Sequence, residues 1–175
     1  MKINQELRPV TLQLIPCLTP TQFSTVQILA HDIWHKHYPE IISMEQIEFM
    51  LESNYSESAL LTQKENGQEL FLIGEEMHRP SGFLGVYPRE EGVLFISKWY
   101  IRTELHGMGI GRNSFRLLCE QFPDTSCMQL QVNRQNVKAI NFYFSLGFRI
   151  ERCADFDIGN GFFMNDFIMI RTADS

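Results

Sequence analysis

The order of apolar and polar residues along the chain predicts a mixture of strands and helices. Residues 10–15 alternate apolar and polar side chains, which is typical of a strand. Apolar residues at three- and four-residue spacing predict a helix over residues 21–38. A second helix would begin after Ser43, since Gln46 lies three residues later, as in a capping box. The first third of the chain is therefore expected to supply one strand and two helices.

The second half of the chain has the clearest pattern. Residues 93–101 are nearly all apolar, which predicts a central strand buried on both faces. Next come a helix over residues 111–122, a strand over residues 128–133, and a helix capped by Asn136 and closed by Gly147. The remaining predicted strands are residues 70–73, 83–87, 148–152 and 162–170, the last two joined by a turn at Gly159, Asn160 and Gly161.

This order of elements predicts an α/β fold of the mixed α+β kind, with a sheet flanked by helices. The length of 175 residues suits one domain, so we expect a single domain over residues 1–175. Lys and Arg total 15 against 21 Asp and Glu, which gives a net charge of −6 and argues against nucleic acid as a partner. The oligomeric state, a homodimer among the options, is left open.

The remaining composition places the chain among ordinary intracellular proteins. No apolar run is long enough to cross a membrane, and the first residues lack the apolar core of a secretory signal. The four cysteines are scattered without CxxC spacing, so they give no support for a cysteine-based metal site. We therefore expect a soluble, cytoplasmic protein without a membrane partner.

A glycine-rich segment at the start of a predicted helix is the strongest indication of chemistry. Gly107, Gly109 and Gly111 alternate with other residues directly after the predicted central strand. Glycines let the backbone approach a ligand closely, and the free amides of a helix N-terminus bind anions. The segment therefore predicts a phosphate or pyrophosphate site, to which Arg102 or Arg112 could add charge. Close packing of helix and strand is the alternative reason for these glycines.

Two common phosphate-binding patterns do not fit this segment. The P-loop pattern GxxxxGK[ST] is absent because the sequence has no Gly-Lys pair. The dinucleotide pattern GxGxxG fails because Arg112 stands at its third glycine position. A phosphate ligand at this segment would therefore belong to another class.

A second segment, from Asn136 to Phe148, brings in a resemblance. It reads N-x-x-A-I-x-F-Y-x-x-x-G-F, and together with the glycine segment it resembles the GCN5-related N-acetyltransferase (GNAT) superfamily. The acetyl-CoA loop of that family reads [QR]xxGxG[GA]; Gly109 and Gly111 match it, and His106 replaces the usual Gln or Arg. The resemblance is strong over residues 93–148.

The resemblance implies a GNAT-type fold with two splayed central parallel strands, and acetyl-CoA as acyl donor with no metal. The pyrophosphate would bind the glycine segment, and the pantetheine arm would pair with the central strand as an added strand does. The cofactor-binding residues implied are Trp99, Tyr100, Ile101, His106, Gly107, Met108, Gly109, Ile110, Gly111, Arg112 and Asn136. For Asn136 a capping role alone is equally compatible.

The implied reaction is direct transfer of the acetyl group from the thioester to a primary amine. Tyr143 matches the family's general acid, which protonates the leaving thiolate; a packed aromatic is the alternative role. A strand amide near Trp99 or Tyr100 would stabilise the oxyanion. The general base is left open among Glu91, Glu104, Asp155, Asp157 and Asp166.

The acceptor is the least determined part of the prediction. A small amine or polyamine is the first expectation, because residues 157–166 are similar to those of bacterial members with such substrates and the chain is acidic. A protein N-terminus or lysine is the rival acceptor, and a catalytically silent CoA-binding regulatory module is the rival class. In this family the first helix borders the acceptor site, so Trp34, Tyr38 and Glu40 are candidate substrate-binding residues.

The same helix contains His31 and His35, four residues apart, in an HDIWH segment. Two histidines on one helix face could bind zinc. However, no third ligand has a recognisable spacing, and Asp32 is a methylene shorter than the Glu of an HExxH site. We therefore predict no metal site.

Overall fold

The computed structural model describes residues 12–74 and 79–173. Its α-helices are α1 Pro20–His37, α2 Met44–Tyr55, α3 Glu57–Glu65, α4 Ile110–Gln121 and α5 Val137–Ser145. Its strands are β1 Gln13–Pro16, β2 Glu69–Gly74, β3 Gly82–Pro88, β4 Val93–Ile101, β5 Cys127–Asn133, β6 Arg149–Gly159 and β7 Phe162–Thr172. Residues 10 and 11 of the predicted first strand lie outside the described residues, and the observed strand runs on to Pro16.

All of these strands belong to one sheet, in the order β1-β2-β3-β4-β5-β7-β6. Every neighbouring pair is antiparallel except β4 and β5, which are parallel. The predicted mixed α/β fold is therefore confirmed, with β4 in the middle of the sheet. None of the helices in the described part of the chain is long and apolar enough to cross a membrane.

The core lies in two layers, one on each face of the sheet. One layer packs α1, α2 and α3 against the sheet around Val26, Ile33 and Phe83. The other packs α4 and α5 against the opposite face around Leu118 and Leu130. Because each face has its own helices, a side chain's position along a strand decides which layer it enters.

A bulge in β4 changes which layer its side chains enter. Gly85 of β3 pairs with Lys98, but the next residue, Val86, pairs with Ile96, so Ser97 is an extra residue. Ile96 faces the α4–α5 layer. Strict alternation would send Lys98 to that face too, but the extra residue turns Lys98 and Tyr100 towards the α1–α3 face. The sequence pattern gives no sign of this bulge.

The structure contains a helix that the sequence analysis missed. Two helices were expected before the second strand, whereas α3 is a third. Its one buried residue is Leu60, so it has little apolar periodicity. It is separated from α2 by Ser56 alone, which ends α2 and accepts a hydrogen bond from the amide of Ala59 to start α3. A helix with so narrow a buried face leaves almost no pattern.

Two strands also differ from their predicted description. The bounds of β4 are as predicted, but the strand is not buried on both faces: every second side chain up to Lys98 is partly exposed, and so are the last three, which line a cavity. The strand predicted over residues 148–152 extends to Gly159 as β6. β6 is an edge strand with mainly exposed side chains, so its length leaves little apolar signal. The predicted hairpin turn is confirmed, with φ of +54° at Asn160 and +77° at Gly161.

Candidate active site

Strands β4 and β5 separate towards their carboxyl ends and open a wedge in the sheet. Their parallel pairing stops at Ile96 and Leu130. Beyond that point β4 continues along β3 to Ile101, and β5 continues along β7 to Asn133. The facing edges of the two strands therefore keep backbone donors and acceptors that a ligand can use.

A cavity of about 790 Å³ occupies this wedge and reaches α1 and α2. The predicted site residues on its wall are Trp34, Tyr38, Trp99, Tyr100, Ile101, His106, Gly107, Gly109, Ile110, Gly111, Arg112, Asn136 and Tyr143. Two predicted residues, Met108 and Glu40, are exposed and do not line it. The structure thus brings most of the predicted residues, from α1, β4, α4 and α5, around one space.

The glycines at the mouth of the cavity have two different functions. Gly107 and Gly109 both have a φ of +81°, which disfavours other residues, and no atom lies within 4 Å of where a Cβ would stand. Gly111 has an ordinary φ, but a Cβ there would come within 2.8 Å of the Phe142 ring. Gly107 and Gly109 therefore leave an open backbone surface, whereas Gly111 permits close packing of α4 on α5.

Helix α4 begins at this glycine segment without a side-chain cap. Its N-cap is Gly109, which offers no acceptor to the first-turn amides. The other helices named above are capped by the side chains of Thr19, Ser43, Ser56 and Asn136. The first-turn amides of α4 have no carbonyl partner within the helix. They therefore form a candidate anion site at the positive end of the helix dipole.

Two cations reinforce this anion site. His106 Nε2 donates to the Ile101 carbonyl at 2.9 Å, so its Nδ1 accepts a hydrogen bond from Lys138 Nζ at 2.8 Å. Lys138 and Arg112 line the cavity, whereas Arg102 is paired with Glu104. Sequence reasoning missed Lys138, because a polar residue in the first turn of a helix has no distinguishing pattern.

Tyr143 lies on α5 with its ring in the wedge. Its ring centroid is 5.9 Å from that of Trp99 on β4 and 5.9 Å from that of Phe148. Burial raises the pKa of Tyr143 well above that of a free phenol, so the hydroxyl stays protonated at neutral pH. Its hydroxyl makes no hydrogen bond to any residue that the structure describes, which leaves it available to a ligand in the cavity.

Of the five carboxylates considered as a base, Asp166 is the one on the cavity wall. Its side chain is only 4% exposed and has neither a hydrogen bond nor an ion pair with another described residue. Burial raises the pKa of Asp166 to about 6, while Arg134 opposes this shift. The other four are exposed surface residues: Glu91, Glu104, Asp155 and Asp157.

Asn136 has a capping role, as the sequence predicted. Its Oδ1 accepts from the amide of Ala139 and from His37 Nε2, both at 3.3 Å. Burial lowers the pKa of His37, which favours the neutral ring. Because Oδ1 is used in the cap, the Nδ2 amide is the group that Asn136 can offer to a molecule in the cavity.

The wall on the α1–α3 face is aromatic. The Trp34 ring centroid lies 4.4 Å from that of Tyr38 and 5.9 Å from that of Tyr100, and Tyr55 packs beside them. Burial raises the pKa of all three tyrosines, so the wall is uncharged. Aromatic walls with a few polar groups are typical of small-molecule sites. Tyr55 was not predicted as a site residue, although it continues the buried stripe of Ile47 and Leu51 on α2.

The histidine pair of α1 lies apart from this cavity. Glu48 of α2 joins His31 and His35, and one potential ligand atom from each lies within 4.8 Å of the others. This third residue has no sequence spacing that a motif could reveal. His35 uses both ring nitrogens, Nδ1 to the His31 carbonyl at 2.8 Å and Nε2 to Glu48 at 2.5 Å. The contact joins α1 to α2 at the surface.

The cysteines are also placed outside the site. None of the four lines the cavity. Burial raises the pKa of Cys17 to about 12, and it also raises that of Cys119, so both stay as thiols rather than nucleophilic thiolates. The arrangement offers no cysteine that could carry an acyl group in this space.

Comparison with solved structures supports the predicted fold. PaiA N-acetyltransferase from Thermoplasma acidophilum in complex with coenzyme A matches with a TM-score of 0.73 and 23% identity, over 93% of this chain and 99% of that chain. An acetyltransferase from Thermus thermophilus has a TM-score of 0.67 and 18% identity, over 93% and 97% of the two chains. A chimera of spermidine N-acetyltransferase from Vibrio cholerae has a TM-score of 0.64 and 18% identity, over 93% and 96%.

Sequence comparison identifies the family. No curated protein sequence matches the chain. The family model described as "Acetyltransferase (GNAT) family" matches residues 31–148, which include the end of α1, the glycine segment and α5. The match covers more than half of the 175 residues. The chain therefore belongs to the GNAT acetyltransferase family.

Proposed function

We propose that this protein transfers the acetyl group of acetyl-CoA directly to a primary amine. One observation carries the proposal: a single cavity connects an uncapped helix N-terminus, an open strand edge and a tyrosine hydroxyl that makes no hydrogen bond to a described residue. Each of these features has a use in acyl transfer from CoA: the helix for the pyrophosphate, the strand edge for the pantetheine arm and the hydroxyl for the thiol. The PaiA structure, which contains coenzyme A, supports the same use of this fold.

The proposed cofactor position follows from the donors on the wall. The pyrophosphate would bind the first-turn amides of α4, with Arg112 and Lys138 adding positive charge. The pantetheine arm would pair with the open edge of β4 between Trp99 and Ile101. Asn136 Nδ2 is a further donor along this path. The binding requires no metal ion.

The proposed chemistry uses groups on both sides of the thioester. A neutral amine nitrogen attacks the thioester carbonyl, and a β4 amide near Trp99 or Tyr100 stabilises the oxyanion. The C–N bond forms and the C–S bond breaks. Tyr143 gives its proton to the leaving thiolate, and the excess proton on the new amide nitrogen passes to Asp166.

Asp166 is proposed as the base for two physical reasons. It is the carboxylate that lines the cavity among those considered, and it projects from β7 towards the α1–α3 face, where an acceptor can enter. With a pKa of about 6 it is ionised at neutral pH, yet basic enough to accept a proton. The proton would reach it directly or through one water.

The acceptor we propose is a small amine, because the cavity is bounded by α1, α2 and the sheet. A polyamine is one member of that class, and the structural similarity to a spermidine N-acetyltransferase supports including it. A protein N-terminus or lysine side chain is the rival acceptor. A CoA-binding module without catalysis is the rival function, and the free hydroxyl of Tyr143 argues against it.

The proposal is tested by measuring thiol release and product mass together. The protein is mixed with acetyl-CoA and a panel of amines. We expect free CoA and N-acetylated amine to form in equal amounts, and in excess of enzyme, with at least one amine. Tight CoA binding without release of thiol beyond hydrolysis, across amines and peptide N-termini, would support the regulatory module instead.

A further inference from the structure

Lys98 is a charged side chain in the cavity wall that the proposed reaction does not use. It follows the bulge in β4, faces α2 and α3, and is only 6% exposed. Its Nζ donates to Gln63 Oε1 at 2.6 Å and lies 5.2 Å from the centre of the Tyr55 ring. The bulge is what aims this residue at the acceptor side, since regular alternation would bury it under α4 and α5.

The ammonium of Lys98 is incompletely satisfied. An ammonium has three N–H donors. One is used by Gln63, and no carboxylate among residues 12–74 and 79–173 forms an ion pair with it. Burial lowers the pKa of Lys98 to about 8, so it is still mainly charged at pH 7. A buried charge without a counter-ion is costly, and a bound anion would remove that cost.

The charged groups of the cavity lie in three separate places. Arg112 and Lys138 are at the α4 end, where the cofactor phosphates are proposed to bind. Asp166 lies on β7, opposite Asn133 of β5. Lys98 lies on β4, two strands from Asp166 and on the same face of the sheet. At about 4.8 Å per strand, these two backbones are roughly 10 Å apart or more across the wedge.

We propose that the acceptor is a primary amine that also carries a carboxylate, and that Lys98 binds this carboxylate. The proposal rests on the proposed function and names the substrate class of the same site. The amine would lie near Asp166 and the thioester, and the carboxylate would extend towards Lys98 and the amide of Gln63. Free amino acids have this combination of groups, whereas a polyamine would bring further positive charge beside Lys98.

Matched pairs of acceptors test the proposal. Phenylalanine and phenethylamine, arginine and agmatine, and histidine and histamine each differ by one carboxylate. For each pair, kcat/KM is measured in the parent and in Lys98→Met, which keeps the chain length and apolar stem. For each pair, the kcat/KM of the amino acid is divided by that of the decarboxylated amine, and this ratio is compared between the two proteins. The difference in basicity between the two amines cancels in that comparison.

We expect the amino acid of at least one pair to be favoured by the parent, and Lys98→Met to lower that preference at least tenfold. Lys36→Met is the control, because Lys36 is an exposed residue paired with Asp32 on α1. The thermal midpoint of Lys98→Met should be equal to or above that of the parent, since an apolar group replaces a buried charge. If Lys98 had a purely structural role, Lys98→Met would leave the ratio within each pair unchanged.

Product binding gives a readout that requires no turnover. The N-acetylated amino acid should bind the CoA-loaded parent at least tenfold more tightly than its decarboxylated counterpart, and Lys98→Met should remove the difference. Preference for spermidine and the decarboxylated amines would overturn this proposal while supporting amine acetylation. An unchanged pair ratio together with unchanged product binding in Lys98→Met would also overturn it. Absence of turnover with every amine would instead count against the proposed function.

Discussion

At the residue scale, the central group is the hydroxyl of Tyr143. Its ring is packed between Trp99 and Phe148, so the alternative role of a packed aromatic describes part of what it does. Packing alone does not require a hydroxyl, and Tyr143 lines the cavity with a hydroxyl that no described residue binds. A cavity ligand that accepts its hydrogen bond would explain why tyrosine rather than phenylalanine stands there.

Replacing Tyr143 by phenylalanine tests this role. The ring and its packing remain, so the fold and CoA affinity should be retained. General acid catalysis typically contributes 10²–10⁴-fold, and kcat should fall at least tenfold, with water as a poorer donor. The KM for acetyl-CoA should change little, because the proton is needed in the transition state. Steady-state kinetics with an acyl donor of more acidic thiol should show a smaller loss; equal kcat values when chemistry is rate-limiting would refute the assignment.

Asp166 leads to a prediction about both activity and stability. Its pKa of about 6 in the folded protein exceeds its ordinary value of 3.8, so the folded state binds this proton more tightly. The stability from that proton is complete below pH 3.8 and is lost as the pH rises through 6. At pH 8 the folded protein therefore contains a costly buried carboxylate, and Asp166→Asn should be more stable by about 1–3 kcal/mol.

Thermal unfolding and pH profiles check this prediction. At pH 8 the midpoint of Asp166→Asn should lie roughly 2–8 °C above that of the parent, and the difference should vanish near pH 4. The kcat/KM of Asp166→Asn should be at least tenfold lower than that of the parent. The parent's kcat/KM should fall below pH 6 as Asp166 becomes protonated, and the variant should lack this fall. Asp124→Asn, at an exposed residue, is the control for both measurements. Full activity in Asp166→Asn would show that another group accepts the proton.

At the scale of elements, the glycine segment and α4 form the unit that is proposed to bind the cofactor. Gly109→Asp would place a negative side chain where backbone amides are proposed to meet phosphate, and CoA affinity measured by calorimetry should fall at least tenfold. Gly67→Asp is the matched control, because Gly67 also has a positive φ, of +89°, with no atom within 4 Å of a Cβ. If both variants bind CoA as the parent does, the cofactor does not use these amides.

Much of this scale could be predicted from the sequence. β4 and α5 have strong apolar patterns, and Asn136 and Gly147 mark the ends of α5 by their chemistry. The same reasoning failed for α3, because a helix that buries one residue has no apolar stripe to detect. The phosphate site at the start of α4 was predicted from its alternating glycines, which follow a strand and precede a helix.

The residues facing the acceptor could not be predicted in the same way. Lys98 belongs to a strand that reads as uniformly buried, and its orientation depends on a bulge that has no sequence signature. Asp166 was one of five carboxylates, and its distinction is its burial, which follows from the pairing of β7 with β5. Tertiary placement, rather than residue type, selects these two groups.

At the scale of the whole molecule, the proposed function depends on the wedge between β4 and β5. The sheet is continuous at one end and open at the other, so a long cofactor can enter from α4 while an acceptor enters from the α1–α3 face. The phosphates would then lie beside the cations at the α4 end, and the thiol beside the tyrosine in the middle. The amine would lie beside the acid on the far strand. This order is the central claim of the account.

A crystal structure of the protein with CoA tests that claim most directly. We predict phosphates on the first-turn amides of α4, a pantetheine arm along the edge of β4, and the CoA sulfur within about 3.5 Å of Tyr143 Oη. Asp166 and Lys98 should face the sulfur from the α1–α3 side, across an open acceptor space. A CoA molecule bound outside the wedge, or a sulfur atom beyond the reach of Tyr143 even through one water, would contradict the account.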